Sequence, residues 1–440
     1  MGRYFGTDGI RGKVNETLCE DTVYKVGRFV GDYFKDGKIV IGMDTRQSSA
    51  TFCDILSKAM KQSGANVYVL GYCSTPCLAF TTMNDHFSCG VMISASHNPY
   101  TDNGIKIFGN DGFKIGDELE GLIEDYIDNP VGLEDRDSGT IRDYSSAIGI
   151  YQDWLLERYP LDLGGKKIAV DLCNGSNCYM AKEVLEGIKL DVDYINGNPD
   201  GTNINNGCGS THLEMLQEFV RNGSYELGFA FDGDADRVLF VDEDGTVVDG
   251  DKIMYILAKY LKINNLLRNN KLVTTVMSNI GLYKALEKLD IGSDITSVGD
   301  KNVVDSMVRN DYVVGGEQSG HIIYAGDCYF GDGLKTALLV MKALKHFGQS
   351  LKETAAEVKI YPQLLINEKV KDKKTVLDDE DIKKKIAEIS DILGNDGRIL
   401  VRPSGTEPLI RVMVEAENDE LCQKYVYEVI DMIKDRGYAL

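Results

Sequence analysis

Over the first third of the chain, short apolar runs alternate with amphipathic stretches. The runs 38–42, 66–70, 89–92 and 104–108 read as strands, with apolar residues at helical spacing between and after them. This alternation predicts a mostly parallel sheet covered by helices. The Pro-, Gly- and Asp-rich stretch 129–139 reads as the way out of that unit. A second unit restarts at Lys166-Lys167-Ile168-Ala169-Val170-Asp171, and its last strand, 227–231, runs into Asp232-Gly233-Asp234-Ala235-Asp236-Arg237. The runs 238–241 and 246–248, joined by Asp242-Glu243-Asp244-Gly245, predict a hairpin. Ile253, Ile256, Leu257, Tyr260 and Leu261 then mark one face of a helix that opens a third unit, with strands at 271–276, 294–298 and 312–314. After Tyr361-Pro362 the pattern changes. A strand at 363–370, a long Lys/Asp/Glu-rich helix, two strands around 402–408 and a terminal helix predict a small α+β domain. The expected domains are 1–150, 151–250, 251–361 and 362–440.

Length agrees with several domains, because one core rarely grows past roughly 250–300 residues and this chain has 440. A hydrophobic share of 43% with 27% charged residues is enough for full cores and excludes a disordered chain. The net charge of -21 disfavours nucleic acid and anionic membranes as partners. A small phosphorylated ligand stays open wherever basic residues gather. Ten cysteines occur without a Cys-x-x-Cys pair, which reads as structural thiols in a reducing cytoplasm. The N-terminal residues show no signal pattern, and no apolar run approaches a membrane span.

Candidate chemistry collects in four polar loops, each at the end of a strand. Ile93-Ser94-Ala95-Ser96-His97-Asn98-Pro99 delivers a hydroxyl, an imidazole and an amide to a strand exit, where α/β enzymes place their chemistry. Pro99 keeps Asn98 out of the helical region, so Ser96 is expected on a tight loop, presented and not packed. Asp232, Asp234 and Asp236 alternate with small residues and can converge on one hard divalent ion, Mg²⁺ fitting best. An EF-hand count ending at Glu243 fails, because Arg237 stands where that loop needs Gly. Glu317 and Ser319, in Gly315-Gly316-Glu317-Gln318-Ser319-Gly320-His321, suit sugar hydroxyls. His321 reads either as a proton carrier or as a satisfied core histidine, and Lys106 as an acid/base, a phosphate charge or an exposed strand lysine. Arg402-Pro403-Ser404-Gly405-Thr406-Glu407-Pro408, followed by Arg411, reads as a phosphate clamp, or as a surface turn with a structural ion pair to Glu407.

Two other readings compete with a shared active site. A strand ending in Asp-x-Asp is similar to aspartyl-nucleophile phosphatases of the haloacid dehalogenase type, with Gly299-Asp300 and Asp305 as the downstream acids. Those enzymes usually carry Thr or Val at the place of Asp236, and Ser96 and the Arg402 loop would be left without a task. The other rival is a catalytically silent phosphosugar-binding protein.

Taken together the loops resemble the α-D-phosphohexomutase superfamily over the whole chain. The resemblance begins at Tyr4-Phe5-Gly6-Thr7-Asp8-Gly9-Ile10-Arg11-Gly12 and runs through 94–99, 232–237, 315–321 and 402–411. Residues 203–211 and Gln318 resemble its glucosamine branch. The resemblance implies three similar α/β domains and a fourth, TATA-binding-protein-like α+β domain around a central cleft. It implies Ser96 as the phosphoserine, with His97, Lys106, Arg11 and His321 among the acid/base and phosphate-contacting groups. It further implies one Mg²⁺ per chain on Asp232, Asp234, Asp236 and the Ser96 phosphate. Arg237, Glu317, Gln318 and Ser319 would touch the sugar phosphate, and Arg402, Ser404, Gly405, Thr406 and Arg411 its non-reacting phosphate. The implied reaction converts glucosamine 6-phosphate to glucosamine 1-phosphate through glucosamine 1,6-bisphosphate, with mannose and glucose phosphates as the alternative substrates. Oligomeric state is left open, a homodimer being one outcome. Lys301-Asn302 departs from the Arg-Tyr expected after Gly-Asp, which points to a weaker phosphate or helix contact there.

Overall fold

The computed structural model describes residues 2–136, 138–404 and 407–440, in two compact units. The first unit holds residues up to 277 and 290–356, and the second holds 278–289 and 357–440.

Three sheets build the first unit. The seven-stranded sheet runs in the order Phe5–Gly6, Gly9–Lys13, Asp102–Gly109, Cys89–Ile93, Lys38–Met43, Asn66–Tyr72, Thr140–Asp143. It is mixed, not mostly parallel. The three pairings from Cys89–Ile93 to Thr140–Asp143 are parallel, and the three on the N-terminal side are antiparallel. Stretch 129–139 is also not the exit, since Thr140–Asp143 returns beside Asn66–Tyr72. Helices Glu20–Tyr33 and Ser49–Gln62 pack closely because Gly31 faces Met60, where a Cβ would come within 2.5 Å of backbone.

The five-stranded sheet is ordered Val247–Val248, Val238–Asp242, Leu227–Phe231, Lys167–Asp171, Asp191–Ile195, and the expected hairpin is present. The four-stranded sheet is ordered Gly292–Thr296, Lys271–Thr275, Val314–Gly316, Ile322–Tyr324. Two of its strands lie two residues from the expected runs, at 292–296 against 294–298 and at 314–316 against 312–314. In the second unit, Leu409–Glu415 lies between Gln363–Lys369 and Arg398–Pro403, antiparallel to both. The long helix expected there is two, Lys373–Asp378 and Glu380–Leu393, because Asp379 caps the second by accepting from the amides of Asp381 and Ile382.

One device recurs in all four sheets. A strand runs out, the chain makes a polar loop, and it returns as an antiparallel neighbour. The closing pairs are Ile93 with Ile105, Phe231 with Val238, Gly316 with Ile322 and Pro403 with Ile410. Every candidate loop is therefore a hairpin connection, held at both ends by ladder hydrogen bonds.

Candidate active site

The Ser96 loop is shaped by a buried arginine. All five N–H donors of Arg46 are used: Nε to Asp44 Oδ2 at 2.8 Å, and Nη1 and Nη2 to the carbonyls of Pro99, Asp102, Ser96 and Asn98 at 2.5–3.0 Å. Asp44 also accepts from the Ser94 hydroxyl at 2.7 Å, and Ser94 Oγ accepts the Ser96 amide at 2.9 Å. Asn205 Nδ2 donates to the same Ser96 and Asn98 carbonyls. Under these ties Ser96 adopts φ +51°, a left-handed conformation costly for a residue with a Cβ. The expected presented hydroxyl is in fact fully buried. Its Oγ donates to Asp232 Oδ2 at 2.6 Å and lies 3.3 Å from His97 Nδ1.

The three aspartates converge as expected, with ligand oxygens within 4.8 Å of one another and all three side chains buried. Asp234 Oδ1 and Asp236 Oδ1 have no hydrogen-bond partner although buried, which is costly for carboxylate oxygens and fits an oxygen-liganded cation. Burial, then repulsion from Asp236 and Asp234, pushes Asp232 well above the usual carboxylate range; burial and Asp236 raise Asp234. Asp236 is held low despite burial, by Lys106 and His321.

Lys106 is not an exposed strand lysine. It is fully buried, donating to Asp234 at 2.6 Å and Asp236 at 3.3 Å, with Asp8 at 2.9 Å. Burial opposes its charge, but these carboxylates raise its pKa well above the ordinary value. Thr75 Oγ1 donates to Asp234 at 2.5 Å. His321 is buried, with Nδ1 3.7 Å from Asp236 and Nε2 3.9 Å from Asp300. Arg237 Nε lies 3.8 Å from Asp236, and Arg11 lies 3.7 Å from Asp8. His97 is pushed down to about 4 by burial and by the charges of Arg237 and Arg11, which leaves it a neutral imidazole at pH 7.

Sequence reasoning missed Asp8 and Lys114 as members of this network. Lys114 bridges Asp8 at 2.5 Å and Asp300 at 2.7 Å, tying the first sheet to the helix Asp300–Asn310. Asp8 stands in the motif 4–12 with no role given to it there, and a charged residue on a strand or loop, as at Lys114, does not distinguish a solvated face from a buried pair. At the departure from pattern, Lys301 donates to Asp117, so a helix contact is retained.

A cavity of about 270 Å³ opens beside the cluster, lined in part by Lys114, Asp236, Asp300, His321 and Phe330. In the third loop, Glu317 Oε1 accepts the Gly299 amide at 3.0 Å, Gln318 Nε2 donates to Asp249 and Asp251, and Ser319 Oγ is buried without a partner. That orphaned hydroxyl suits a ligand's polar group.

In the second unit, Arg402 and Arg411 oppose each other across an antiparallel pair. Burial and the Arg411 charge lower the Arg402 pKa. Like charges directly opposite destabilise a sheet, and Glu407, 4.0 Å from Arg411, offsets part of that repulsion. Ser404 is buried and its Oγ accepts the Glu407 amide at 3.3 Å. Gly405 and Thr406 lie outside the described residues.

Close approach of two hairpins sets the distance from Ser96 to the aspartates. A Cβ on Gly233 would stand 2.6 Å from the Ser96 carbonyl and 2.9 Å from Ile204. Gly233→Ala is expected to lower turnover about 10²-fold while leaving the far-ultraviolet spectrum unchanged, since a displacement near 1 Å at reacting groups has that effect. Wild-type kinetics in this variant would refute the spacing argument.

Four regions of the chain match models of the phosphoglucomutase/phosphomannomutase family. They are α/β/α domain I over residues 2–131, domain II over 151–245, domain III over 249–361 and the C-terminal domain over 365–432. A phosphoglucosamine mutase of Lachnospira eligens is 47% identical over 450 residues, covering all of both chains. That of Bacillus subtilis is 46% identical over 442 residues, covering 99% of each. Among solved structures, a phosphoglucomutase/phosphomannomutase family protein of Burkholderia thailandensis superposes with a TM-score of 0.81 at 20% identity, over 98% of this chain and 97% of that one. The Aspergillus fumigatus N-acetylphosphoglucosamine mutase in complex with GlcNAc-6P and magnesium gives 0.70 at 19%, over 98% and 95%. These likenesses show the fold. With all four domain models matched in order and full-length relatives near half identity, the chain belongs to the phosphoglucomutase/phosphomannomutase family, on its phosphoglucosamine mutase branch.

Proposed function

We propose that the chain interconverts glucosamine 6-phosphate and glucosamine 1-phosphate through a phosphorylated Ser96. The observation that carries this reading is the 2.6 Å hydrogen bond from Ser96 Oγ to Asp232, which seats a nucleophile against three convergent carboxylates.

The phosphoryl group on Ser96 would pass to O1 of glucosamine 6-phosphate, breaking the Ser96 O–P bond and leaving the bisphosphate. After the sugar turns over, its 6-phosphoryl would return to Ser96 Oγ and release glucosamine 1-phosphate. One Mg²⁺ per chain, held by Asp232, Asp234, Asp236 and a Ser96 phosphate oxygen, would supply a hard positive charge that offsets repulsion between phosphates. Lys106, with its raised pKa and three carboxylate neighbours, supplies fixed positive charge in the same place. His97 is within reach of Ser96 Oγ as a neutral hydrogen-bonding partner, Arg11, Arg237 and His321 bring further donors, and Glu317, Gln318 and Ser319 read the sugar. Arg402, Ser404, Gly405, Thr406 and Arg411 are assigned to the non-reacting phosphate, which must be the 6-phosphate in one half-reaction and the 1-phosphate in the other.

The division at 1–150, 151–250, 251–361 and 362–440 is proposed alongside, supported by one sheet falling within each range. A cytoplasmic setting is supported by ten unpaired cysteines, and among the described residues no helix is long and apolar enough to cross a membrane.

The test is intact-mass measurement before and after incubation with glucosamine 1,6-bisphosphate, with peptide mapping, alongside kcat/KM on glucosamine, glucose and mannose 6-phosphates. The expected result is one phosphoryl group on Ser96 and a preference for glucosamine. Modification of an aspartate, cleavable by hydroxylamine, would favour phosphatase-type chemistry; preference for glucose would reject the substrate assignment. Gln318→Met is expected to shift the glucosamine-to-glucose ratio toward glucose by about tenfold, the weight of one hydrogen bond to a charged group. An unchanged ratio would remove Gln318 as a specificity determinant.

A further inference from the structure

The loop 316–321 rests on the start of the helix Gly250–Ile263. The Gly250 amide donates to the Gln318 carbonyl at 2.9 Å, and a Cβ at Gly250 would meet the Glu317 carbonyl at 2.1 Å. Two carboxylates of the same turn then fix the Gln318 side chain. Its Nε2 donates to Asp249 Oδ2 at 3.3 Å and to Asp251 Oδ2 at 3.2 Å. Asp249 is itself held as the helix N-cap, accepting the Lys252 amide at 3.2 Å, and Asp251 is fully buried.

This arrangement decides which end of the amide faces outward. Ionised carboxylates only accept, so the NH2 must turn to them and the carbonyl Oε1 must turn away. No described residue donates to that Oε1. A carbonyl on the far side of an amide held by two carboxylates is matched to a donor, and best to a cationic donor, even with burial raising Asp249 above the ordinary carboxylate value. It offers a substrate ammonium a charge-assisted bond, whereas a hydroxyl in the same place gains an ordinary one.

We propose that Asp249 and Asp251 are positioning residues that orient Gln318 as an acceptor for the 2-ammonium of an amino-sugar phosphate, and so set the preference for amine over hydroxyl at that carbon. The inference rests on the reading given under Proposed function and adds the group that is recognised and the residues that make recognition directional. Neither aspartate need touch the sugar. Their effect passes through one amide, whose orientation is held by one carboxylate instead of two once either aspartate becomes an amide that both donates and accepts.

The test measures kcat and KM on glucosamine 6-phosphate and glucose 6-phosphate for the wild type, Asp249→Asn, Asp251→Asn, Gln318→Met and the double variant Gln318→Met/Asp251→Asn. Each asparagine variant is expected to lower the glucosamine-to-glucose ratio of kcat/KM about tenfold, with the change carried by KM for the amine substrate, as for loss of an interaction made equally in ground and transition states. In the Gln318→Met background, Asp251→Asn is expected to add nothing, because its route is gone. A ratio within twofold of wild type in either folded asparagine variant overturns the proposal. So does an undiminished drop in the Gln318→Met background. Asparagine preserves the N-cap at 249, and the aspartates are tested separately so that one unfolded variant leaves the other to decide. A measurement on the unaltered protein also bears on it: N-acetylglucosamine 6-phosphate, whose nitrogen is neutral, must be a poorer substrate, and equal turnover overturns ammonium recognition. Preference of the wild type for glucose would instead defeat the broader functional reading, which separates the two failures.

Discussion

Ser96→Ala is expected to reduce interconversion of the two glucosamine phosphates by about 10⁶-fold, the scale seen when a covalent nucleophile is removed. The residue's surroundings make it hard to replace. Arg46 and Asn205 together occupy the carbonyls at 96 and 98, and the Ser94 hydroxyl holds the Ser96 amide, so no other hydroxyl can take its place without remaking the loop. The same ties predict that the variant folds. Alanine keeps every backbone contact and loses one hydrogen bond to a carboxylate, roughly 1.5–3 kcal/mol. A chain this size tolerates that. The check is turnover by a coupled assay, phosphate incorporation by intact mass, and melting temperature. Turnover within tenfold of wild type would end the phosphoserine reading.

The second large effect is expected at Lys106. Lys106→Met leaves the buried Asp234 and Asp236 without the cation they share with half-buried Asp8. Removing one partner of a buried ion pair costs about 3–5 kcal/mol, since the remaining charge stays desolvated. Stability should fall by that order without a divalent ion, and turnover by about 10²–10³-fold, as for loss of a preorganised electrostatic contact. Part of the stability should return on adding Mg²⁺. A ligand that binds only the folded state at a hundred times its Kd stabilises by about 2.7 kcal/mol, and the variant has more negative charge for a cation to neutralise. Denaturant unfolding with and without Mg²⁺ reads both. A variant as stable as wild type in the absence of metal would mean that the carboxylates are neutralised by their own protons and that Lys106 carries no such load.

How much of this was readable beforehand differs by kind. Residues 93–99, 232–237 and 317–321 announced themselves, because a buried strand ending in clustered polar residues is a local pattern. Burial of Ser96 was not local. It comes from the approach of Gly233 and Asn205, more than a hundred residues away, so the expected presented hydroxyl was the wrong inference from a correct loop. For Lys106 the residues left acid/base, phosphate charge and exposed strand lysine open, and only three carboxylates from two other segments around it remove the last. Arg46 and Asp44 carried no signal, since a buried arginine bonding backbone carbonyls looks like any surface charge in sequence. Displaced strand limits have a simpler cause. Gly292–Thr296 is an edge strand and only partly buried, so its residues do not alternate strongly enough to fix its ends. The break at Asp379 was written in the sequence as a capping aspartate within a charged run, which helical composition on both sides concealed.

Segment 278–289 belongs to the second unit although it lies far from the rest of it in the chain. The Ile280 amide donates to Glu415, and Asn279 bonds Tyr361 through both ends of its side-chain amide. During synthesis this segment leaves the ribosome 126 residues before Glu415, the difference between positions 415 and 289. At about 5–20 residues per second it waits roughly 6–25 s for its partner. Over that interval the Ile280 amide is without its Glu415 acceptor. Slowing translation downstream of residue 289 should therefore lengthen the wait of this early-born segment for the strand that carries Glu415.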